Sequence, residues 1–369
     1  MRLSDYFENL NVLIPIPYFS EVIRQVPYFG DNFSFLDWSI KDPEHEKNIK
    51  IDPIRFFTAP IEIARRSNHI RISKACLKIA QKRKLNPQIV HTHFLFLGAA
   101  GARIKSKFEV PFIMTVHGAD AYDIPFRNLY YKNEAKKILE ESDMVISVSK
   151  YNAKKLENLG VRKNKIKVIP NGFDSSLFHL QSKTETRKLL GLPSERPILL
   201  TIGRLERVKG HATLLKAVAE LVKTNLKPYL VVIGSGSLSH QLSDLVGKLK
   251  LHNNVRFFGS IHHEDIGAWI GASDLFILPS FRESFPTVIP EVLACGRPII
   301  ASNVGGIPEI INDDGVGLVI QPGSERKLSE AIREALERNW DASHIANHAH
   351  PYSYEKLIPK IVEVFETFI

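Results

Sequence analysis

The stretches Asp274-Leu-Phe-Ile-Leu-Pro-Ser280 and Glu283-Ser-Phe-Pro-Thr-Val-Ile-Pro-Glu291 indicate the fold most directly. The first is a short apolar strand, and residues 287–295 form a predicted helix after a loop of small, turn-prone residues. A strand, loop and helix in this order is typical of a parallel sheet covered by helices. Because the first N–H groups of a helix have no partner within it, the unit predicts an anion site, framed by the carboxylates of Glu283 and Glu291.

These carboxylates also limit what the site can bind. They would repel phosphate, so we expect them to hold hydroxyl groups, as acidic residues do on a ribose. Upstream, Gly203-Arg-Leu-Glu-Arg-Val-Lys-Gly210 ends another predicted strand and supplies Arg204 and Lys209 as cations for phosphate. The alternative is that all four are ordinary solvated charges. Phosphate on cations and amides, with hydroxyls on acids, favours a sugar nucleotide as the ligand.

Together these motifs resemble the retaining glycosyltransferases of family 4. The resemblance rests on the two glutamates, on the Gly-Arg-Leu-x-x-x-Lys-Gly segment, and on three more segments in the family's order. These are His117-Gly-Ala-Asp120, Ile169-Pro-Asn-Gly-Phe-Asp174 and Gly305-Gly-Ile-Pro-Glu309. The resemblance implies an α/β protein of the GT-B fold: two Rossmann-like, doubly wound parallel-sheet domains that face each other across a cleft, with a C-terminal helix crossing back.

The resemblance also implies a role for each matching residue. Glu283 would bind hydroxyls of the donor sugar and Glu291 the ribose, while Arg204 and Lys209 would neutralise the leaving diphosphate. The other donor-binding residues would be Gly203, Gly234, Ser284, Phe285, Pro286, Thr287 and Val288. His117 would lie against the donor sugar and complete a catalytic set with Arg204, Lys209 and Glu283. Asp120 and His93 would lie on the acceptor side.

The implied activity is transfer of a sugar from a UDP- or GDP-type nucleotide sugar to a glycan or lipid-linked acceptor, in bacterial or archaeal surface-polysaccharide biosynthesis. No residue is placed as a nucleophile for a double displacement, so we expect reaction on one face, with the leaving phosphate accepting the proton. We expect no cofactor and no essential metal, because His91 and His93 lack a third ligand. Two alternatives stay open: a sugar-nucleotide epimerase or phosphorylase on the same fold, or a non-catalytic donor-binding remnant or partner subunit.

Strands and helices alternate in two series along the chain. We therefore predict an acceptor-binding domain at 1–178, a donor-binding domain at 179–350, and a helix at 351–369 that returns to the first domain. Gly30 is the only glycine in residues 1–97. Because the family normally opens with a strand, a glycine-rich loop and a helix, we expect this opening unit to be missing.

The composition narrows the cellular setting. Among 369 residues there are two cysteines, Cys76 and Cys295, so there is no disulfide framework. The sequence has no signal-peptide pattern and no apolar run near the ~20 residues that span a bilayer, which predicts a cytoplasmic protein, free or peripheral on the inner membrane face. The net charge of +9 is uneven: residues 1–180 carry 28 basic and 19 acidic residues, and the remainder carries 21 of each.

Residues 65–84 carry much of this excess. They contain no acidic residue, and Ile72, Cys76, Ile79 and Ala80 recur at helical spacing. The segment therefore predicts a basic amphipathic helix that is either an ordinary surface helix or a contact with anionic lipid. Nucleic acid is not expected, because no binding motif accompanies the charge. The eight basic residues are Arg65, Arg66, Arg71, Lys74, Lys78, Lys82, Arg83 and Lys84.

Overall fold

The computed structural model describes residues 3–18, 48–57, 66–224 and 226–369. The chain divides into two compact units. Unit 1 comprises Met1–Val148, Asn152–Ile169 and Ile358–Ile369, and unit 2 comprises Ser149–Tyr151 and Pro170–Leu357. Within the described ranges, no helix is long and apolar enough to span a bilayer.

The elements that precede residue 170 alternate between strand and helix. They are β1 (Leu10–Tyr18), β2 (Ile49–Phe57), α1 (Asn68–Lys82), β3 (Val90–His93), α2 (Gly98–Phe108), β4 (Phe112–Val116), α3 (Ala119–Tyr122), α4 (Leu129–Glu141), β5 (Met144–Ser147), α5 (Lys150–Asn158) and β6 (Ile166–Val168). The strands form a parallel four-stranded sheet in the order β3-β4-β5-β6 and a separate parallel pair, β1-β2.

Helices cover both sheets of unit 1. Every residue of β4 is buried, as expected for a parallel strand with helices on both faces. Met114 and Val116 of β4 belong to one apolar cluster with Ile138 and Leu139 of α4. In α1, the helically spaced Ile72, Cys76 and Ala80 pack with Ile54 and Phe56 of β2 and with Ala100 of α2. The predicted amphipathic helix is therefore present, and its apolar face covers the β1-β2 pair.

Unit 2 is built around one larger sheet. The elements from residue 170 are α6 (Lys183–Leu189), β7 (Ile198–Ile202), α7 (His211–Lys223), β8 (Tyr229–Ile233), α8 (Ser239–Lys248), β9 (Val255–Gly259), α9 (Ile266–Ala272), β10 (Leu275–Leu278), α10 (Val288–Ala294), β11 (Ile299–Ser302), α11 (Ile307–Ile310), β12 (Gly317–Ile320), α12 (Glu325–Glu337), α13 (Ala342–Ala349) and α14 (Tyr354–Glu366). All six strands are parallel, in the order β12-β11-β10-β7-β8-β9. The chain reverses direction across the sheet between β7 and β10, which is a topological switch point of the kind where ligands bind.

Three features differ from the sequence-based expectation. The sequence did not predict β2, helix α6 or β12. Ser182 caps that helix by accepting a hydrogen bond from Glu185 N. Asp52 and Pro53 interrupt the apolar pattern of β2, and β12 is only four residues long, so neither gives the pattern of a long strand.

Candidate active site

Two loops meet at the switch point of unit 2. Gly210 has φ +73°, and a Cβ added there would lie 2.0 Å from the carbonyl oxygen of Pro279. Phe281 N donates a hydrogen bond of 2.7 Å to Val208 O. Because only glycine allows this backbone approach, the Lys-Gly pair holds the loop after β7 against the loop after β10.

An ion pair joins these loops. Lys209 Nζ donates to Glu283 Oε1 at 2.7 Å, and Ser280 Oγ donates to the same oxygen at 2.7 Å. The side chain of Glu283 is 9% exposed and that of Lys209 is 20% exposed. From the sequence we expect separate partners, a sugar for Glu283 and a diphosphate for Lys209. In the structure they bind each other.

Two glycines position the backbone at Glu283. A Cβ on Gly305, whose φ is +58°, would lie 1.8 Å from the carbonyl oxygen of Glu283. Gly306 N donates to Ser284 O at 2.9 Å, and a Cβ there would lie 2.2 Å from that oxygen. The Gly305-Gly306 pair after β11 therefore packs directly against the backbone at residues 283–284 and fixes its position.

The rest of the predicted donor loop leads into α10. Ser284, Phe285 and Pro286 are buried, Val288 is half-buried and Thr287 is exposed. The ring of Phe285 lies 5.7 Å from that of Tyr352. The helix begins at Val288, one residue later than predicted. The assignment of these residues to a donor stays a prediction.

Glu291 of α10 is buried and has a histidine partner. His263 Nε2 lies 3.0 Å from Glu291 Oε1. Burial raises the pKa of the Glu291 carboxyl, and the hydrogen bond from His263 opposes that rise. His263 was not predicted as a site residue. Its position just after the end of β9 was the available signal, since this is the edge of the sheet where ligand-binding loops gather.

Other predicted donor residues lie in the loops after β7 and β8. Gly234 has φ +133°, and its added Cβ would lie 2.0 Å from the carbonyl oxygen of Gly203. Leu205 N donates to Ser235 O at 2.8 Å. Arg204, next to this contact, is exposed. The structure thus gathers Gly203, Arg204 and Gly234 on one edge of the sheet and leaves the guanidinium at the surface.

His211 opens α7, two residues after Lys209. Its ring is buried, and Nδ1 has no hydrogen-bond partner in the described part of the chain. Burial lowers the pKa of this imidazole to about 4, and the charge of Lys209 adds to the shift. His211 is therefore a neutral buried base at ordinary pH.

Unit 1 contains a cluster of three histidines at the ends of β3 and β4. His93 Nδ1 lies 2.8 Å from His117 Nε2, and the two rings stack at 5.1 Å. His91 Nε2 lies 2.7 Å from Thr115 Oγ1. Enclosure of the rings lowers the pKa of His91 to about 3 and that of His93 to about 4, and the neighbouring His117 adds to both shifts. The described residues contain no group of His, Cys, Asp and Glu arranged to hold a metal ion.

Asp120 organises this cluster through the backbone. Its buried carboxylate accepts hydrogen bonds from Gly118 N at 2.6 Å, Leu95 N at 3.0 Å and His117 N at 3.4 Å. The residue was predicted on the acceptor side. Its contacts within the protein hold the loops that carry His93 and His117, and a direct contact with an acceptor stays a prediction.

The basic residues of the α1 segment fall into separate groups. Arg65 lies outside the described residues. Arg66 packs 5.8 Å from the centre of the Tyr130 ring, Arg71 lies 3.5 Å from Asn68 Oδ1, and Arg83 pairs with Asp52 at 2.5 Å. The exposed lysines are Lys74, Lys78, Lys82 and Lys84. The first three recur every fourth residue and form one row on the helix, so they are the residues that present charge to solvent.

Comparison with known proteins gives one consistent family. The profile described as "Glycosyl transferases group 1" matches residues 182–351, and "Glycosyltransferase Family 4" matches residues 37–177. A Bacillus subtilis protein named as a teichuronic acid biosynthesis glycosyltransferase is 30% identical, over 90% of this chain and 82% of its own length.

Solved structures show the same architecture. Sucrose-phosphate synthase from Thermosynechococcus elongatus superposes with a TM-score of 0.73 at 25% identity, over 85% of this chain and 82% of its own. HepE of Anabaena, solved in complex with UDP, superposes with a TM-score of 0.73 at 21% identity, over 88% and 87% of the two chains.

Proposed function

Because the chain belongs to the glycosyltransferases of family 4 and has their GT-B fold, we propose that it is a retaining enzyme that moves a sugar from a nucleotide-diphosphate sugar to a glycan or lipid-linked acceptor. The membership and the fold confirm the predicted enzyme class and the two Rossmann-like domains. The nucleotide sugar is favoured by HepE, whose structure holds UDP, and a cell-surface polysaccharide by the relative from Bacillus subtilis.

The observation that carries this proposal is the Lys209–Glu283 pair at the switch point. The donor brings a diphosphate and sugar hydroxyls, which are the groups that an ammonium and a carboxylate bind. We infer that the donor separates the pair, with Lys209 turning to the diphosphate and Glu283 to the sugar. The backbone of Gly305-Gly306, packed against residues 283–284, would keep the Glu283 carboxylate in place during this exchange. Arg204 would add a second cation to the diphosphate.

The proposed chemistry needs no protein nucleophile. As the bond from the sugar to the diphosphate breaks, negative charge grows on the phosphate, and cations placed in advance stabilise it. The departing phosphate would take the proton of the incoming hydroxyl on the same face of the sugar, so the anomeric configuration is retained. Glu291, with His263 beside it, would hold the ribose, and the loop from Ser284 to Val288 would offer backbone amides to the sugar and its phosphate.

We assign acceptor binding to the histidine cluster of unit 1. In the stacked His93–His117 pair the pKa of His93 is lowered to about 4, so this imidazole can accept or donate a hydrogen bond to a sugar hydroxyl without bringing a charge. The row of Lys74, Lys78 and Lys82 on α1 supports a peripheral position on the inner face of the membrane. Each basic residue near an anionic surface contributes about 1 kcal/mol to such binding.

The first experiment is a thermal-shift titration with UDP, GDP, ADP and their sugars. A ligand at 100 times its Kd stabilises the folded protein by about 2.7 kcal/mol. We expect a shift with one nucleotide class, its loss in Lys209→Met, and in Glu283→Gln the loss of the additional shift that the attached sugar gives. Lys216→Met, an exposed lysine on α7, is the matched control and should keep the shift.

Product analysis tests the reaction itself. Free nucleotide should accumulate only when an acceptor is present, and the new linkage should have the anomeric configuration of the donor. Release of nucleotide without acceptor would favour the alternative of a sugar-nucleotide epimerase on the same fold. An inverted product would contradict the one-face mechanism and leave donor binding intact.

A further inference from the structure

A short exposed turn precedes α4 in unit 1. It has the sequence Phe126-Arg-Asn-Leu129, and all four residues are exposed. The relative exposure is 71% for Leu129 and 44% for Phe126. A single exposed apolar side chain is ordinary on a protein surface. Here two large apolar side chains within four residues, with an arginine between them, form a small exposed apolar patch.

Hydrogen bonds fix this turn. Phe126 N donates to Asp123 O at 3.0 Å, and Arg127 N donates to Ile124 O at 3.2 Å. Asn128 caps α4 by accepting a hydrogen bond from Tyr131 N at 3.1 Å. The structure therefore presents the two apolar side chains on a bonded turn and a capped helix, and they are not at a frayed end.

The turn lies beside the first residues of α1. Tyr130 OH donates to Arg66 O at 2.9 Å, and His69 Nε2 lies 3.2 Å from Glu134 Oε2. The start of α4 and the start of α1 are thus packed together. The apolar turn therefore lies near the start of α1, the helix that carries the lysine row further along its length.

The charges around the turn are mostly positive. Arg127 pairs with Asp123 at 2.7 Å and stays 57% exposed. Glu134 already bonds to Lys137 and to His69. The remaining basic residues of α4 are Lys132 and Lys136. A surface that combines apolar side chains with unmatched positive charge fits an anionic lipid headgroup layer.

We propose that Phe126 and Leu129 insert into the interfacial layer of an anionic membrane while Lys74, Lys78 and Lys82 bind its headgroups. The proposal rests on the peripheral membrane location proposed above and adds the apolar anchor, which a row of lysines alone does not supply. A basic helix without an anchor binds only through charge and is removed by salt. The apolar turn makes part of the binding resistant to salt.

The anchor also gives the acceptor site an orientation. The turn lies shortly after α3 (Ala119–Tyr122), the short helix whose Asp120 organises the histidine cluster. Insertion would therefore hold the acceptor-binding half close to the bilayer, where the sugar of a lipid-linked acceptor lies. This geometry favours a lipid-linked acceptor over a free oligosaccharide.

The test is sedimentation with vesicles of phosphatidylcholine containing about 30% phosphatidylglycerol, and with pure phosphatidylcholine, at low and high salt. Phe126→Ser/Leu129→Ser should bind anionic vesicles about tenfold more weakly at both salt concentrations. Lys74→Gln/Lys78→Gln/Lys82→Gln should lose about a hundredfold, and only at low salt. Leu189→Ser, on α6 with a relative exposure of 76%, is the matched control and should bind as the wild type does.

Each other outcome overturns a defined claim. If the wild type does not sediment with anionic vesicles, the peripheral location and the anchor are both wrong. If only the lysine variant weakens, the location stands and the anchor is refuted. Nucleotide-induced thermal shifts in every variant report that the donor site is folded. The fluorescence emission of Leu129→Trp should shift to the blue on anionic vesicles, whereas that of the control Leu189→Trp should not. An unchanged emission spectrum of Leu129→Trp would also refute insertion.

Discussion

Replacing His211 by glutamine should flatten the acid sensitivity of unit 2. The pKa of this buried imidazole falls from 6.5 to about 4 in the folded chain. The unfolded chain therefore binds a proton below pH 6.5 that the folded chain does not, so stability is lost as the pH falls from about 6.5 toward 4. By this linkage the loss is about 2 kcal/mol at pH 5 and approaches about 3 kcal/mol at lower pH.

Urea unfolding between pH 7 and pH 4.5, followed by tryptophan fluorescence, measures this loss. The chain has two units, so one global transition cannot be assumed. The chain has three tryptophans, and a Trp38→Phe background leaves Trp269 and Trp340, which both belong to unit 2. The His211→Gln variant should lose about 2 kcal/mol less than its parent between pH 7 and pH 5.

A second substitution tests the cause of the shift. Because the charge of Lys209 also lowers the pKa of His211, Lys209→Met should reduce the acid sensitivity without abolishing it. Equal slopes for the parent and His211→Gln would refute the reasoning, since the histidine would then gain its proton at the same pH in the folded and unfolded chains. Far-UV circular dichroism at pH 7 establishes that the variants compared are folded.

Three further changes probe the loops of unit 2. Lys209→Met should cost about 3 kcal/mol of unfolding free energy, because it leaves the Glu283 carboxylate buried and unpaired; Lys209→Met/Glu283→Leu should regain most of it, and no recovery in urea unfolding would contradict this. Gly305→Ala should cost more than about 2 kcal/mol of unfolding free energy, since its Cβ would lie 1.8 Å from the Glu283 carbonyl oxygen. A melting temperature equal to that of the wild type would show that the backbone at residues 283–284 can shift to accept the Cβ. Glu309→Ala should cost about 1–2 kcal/mol of unfolding free energy, because the Glu309 carboxylate accepts hydrogen bonds from Lys150 N and Tyr151 N. In thermal unfolding, the melting temperature of Glu309→Gln should fall between those of the wild type and Glu309→Ala.

Much of the fold could be predicted because buried parallel strands are short apolar runs. Residues 275–278 and 299–302 are of this kind, and each lies between turn residues that mark its ends. β2 escaped prediction because Asp52 and Pro53 interrupt the apolar pattern, although Ile54 and Phe56 are in the core. Tertiary packing, which no local window contains, makes that segment a strand.

The candidate site residues could be named from the sequence, but the contacts between them could not. Charges at strand ends are visible along the chain, which is why Lys209 could be named as a cation, whereas Gly305 was noted only as part of a segment shared with the family. That Lys209 binds Glu283, 74 residues away, depends on which strands are neighbours in the sheet. The partnership of His263 with Glu291 was missed for the same reason, because sequence patterns do not report distances between loops.

The strand order of unit 2 has a consequence for synthesis on the ribosome. β7 emerges first and pairs with β8, but its other neighbour is β10, with Leu199 opposite Leu275. At about 5–20 residues per second, the roughly 75 residues between them take about 4–15 s to translate. During that time one edge of a strand destined for the core has no partner. Chaperone protection should therefore matter most after β7 and β8 have been translated and before β10 is available to pair with β7.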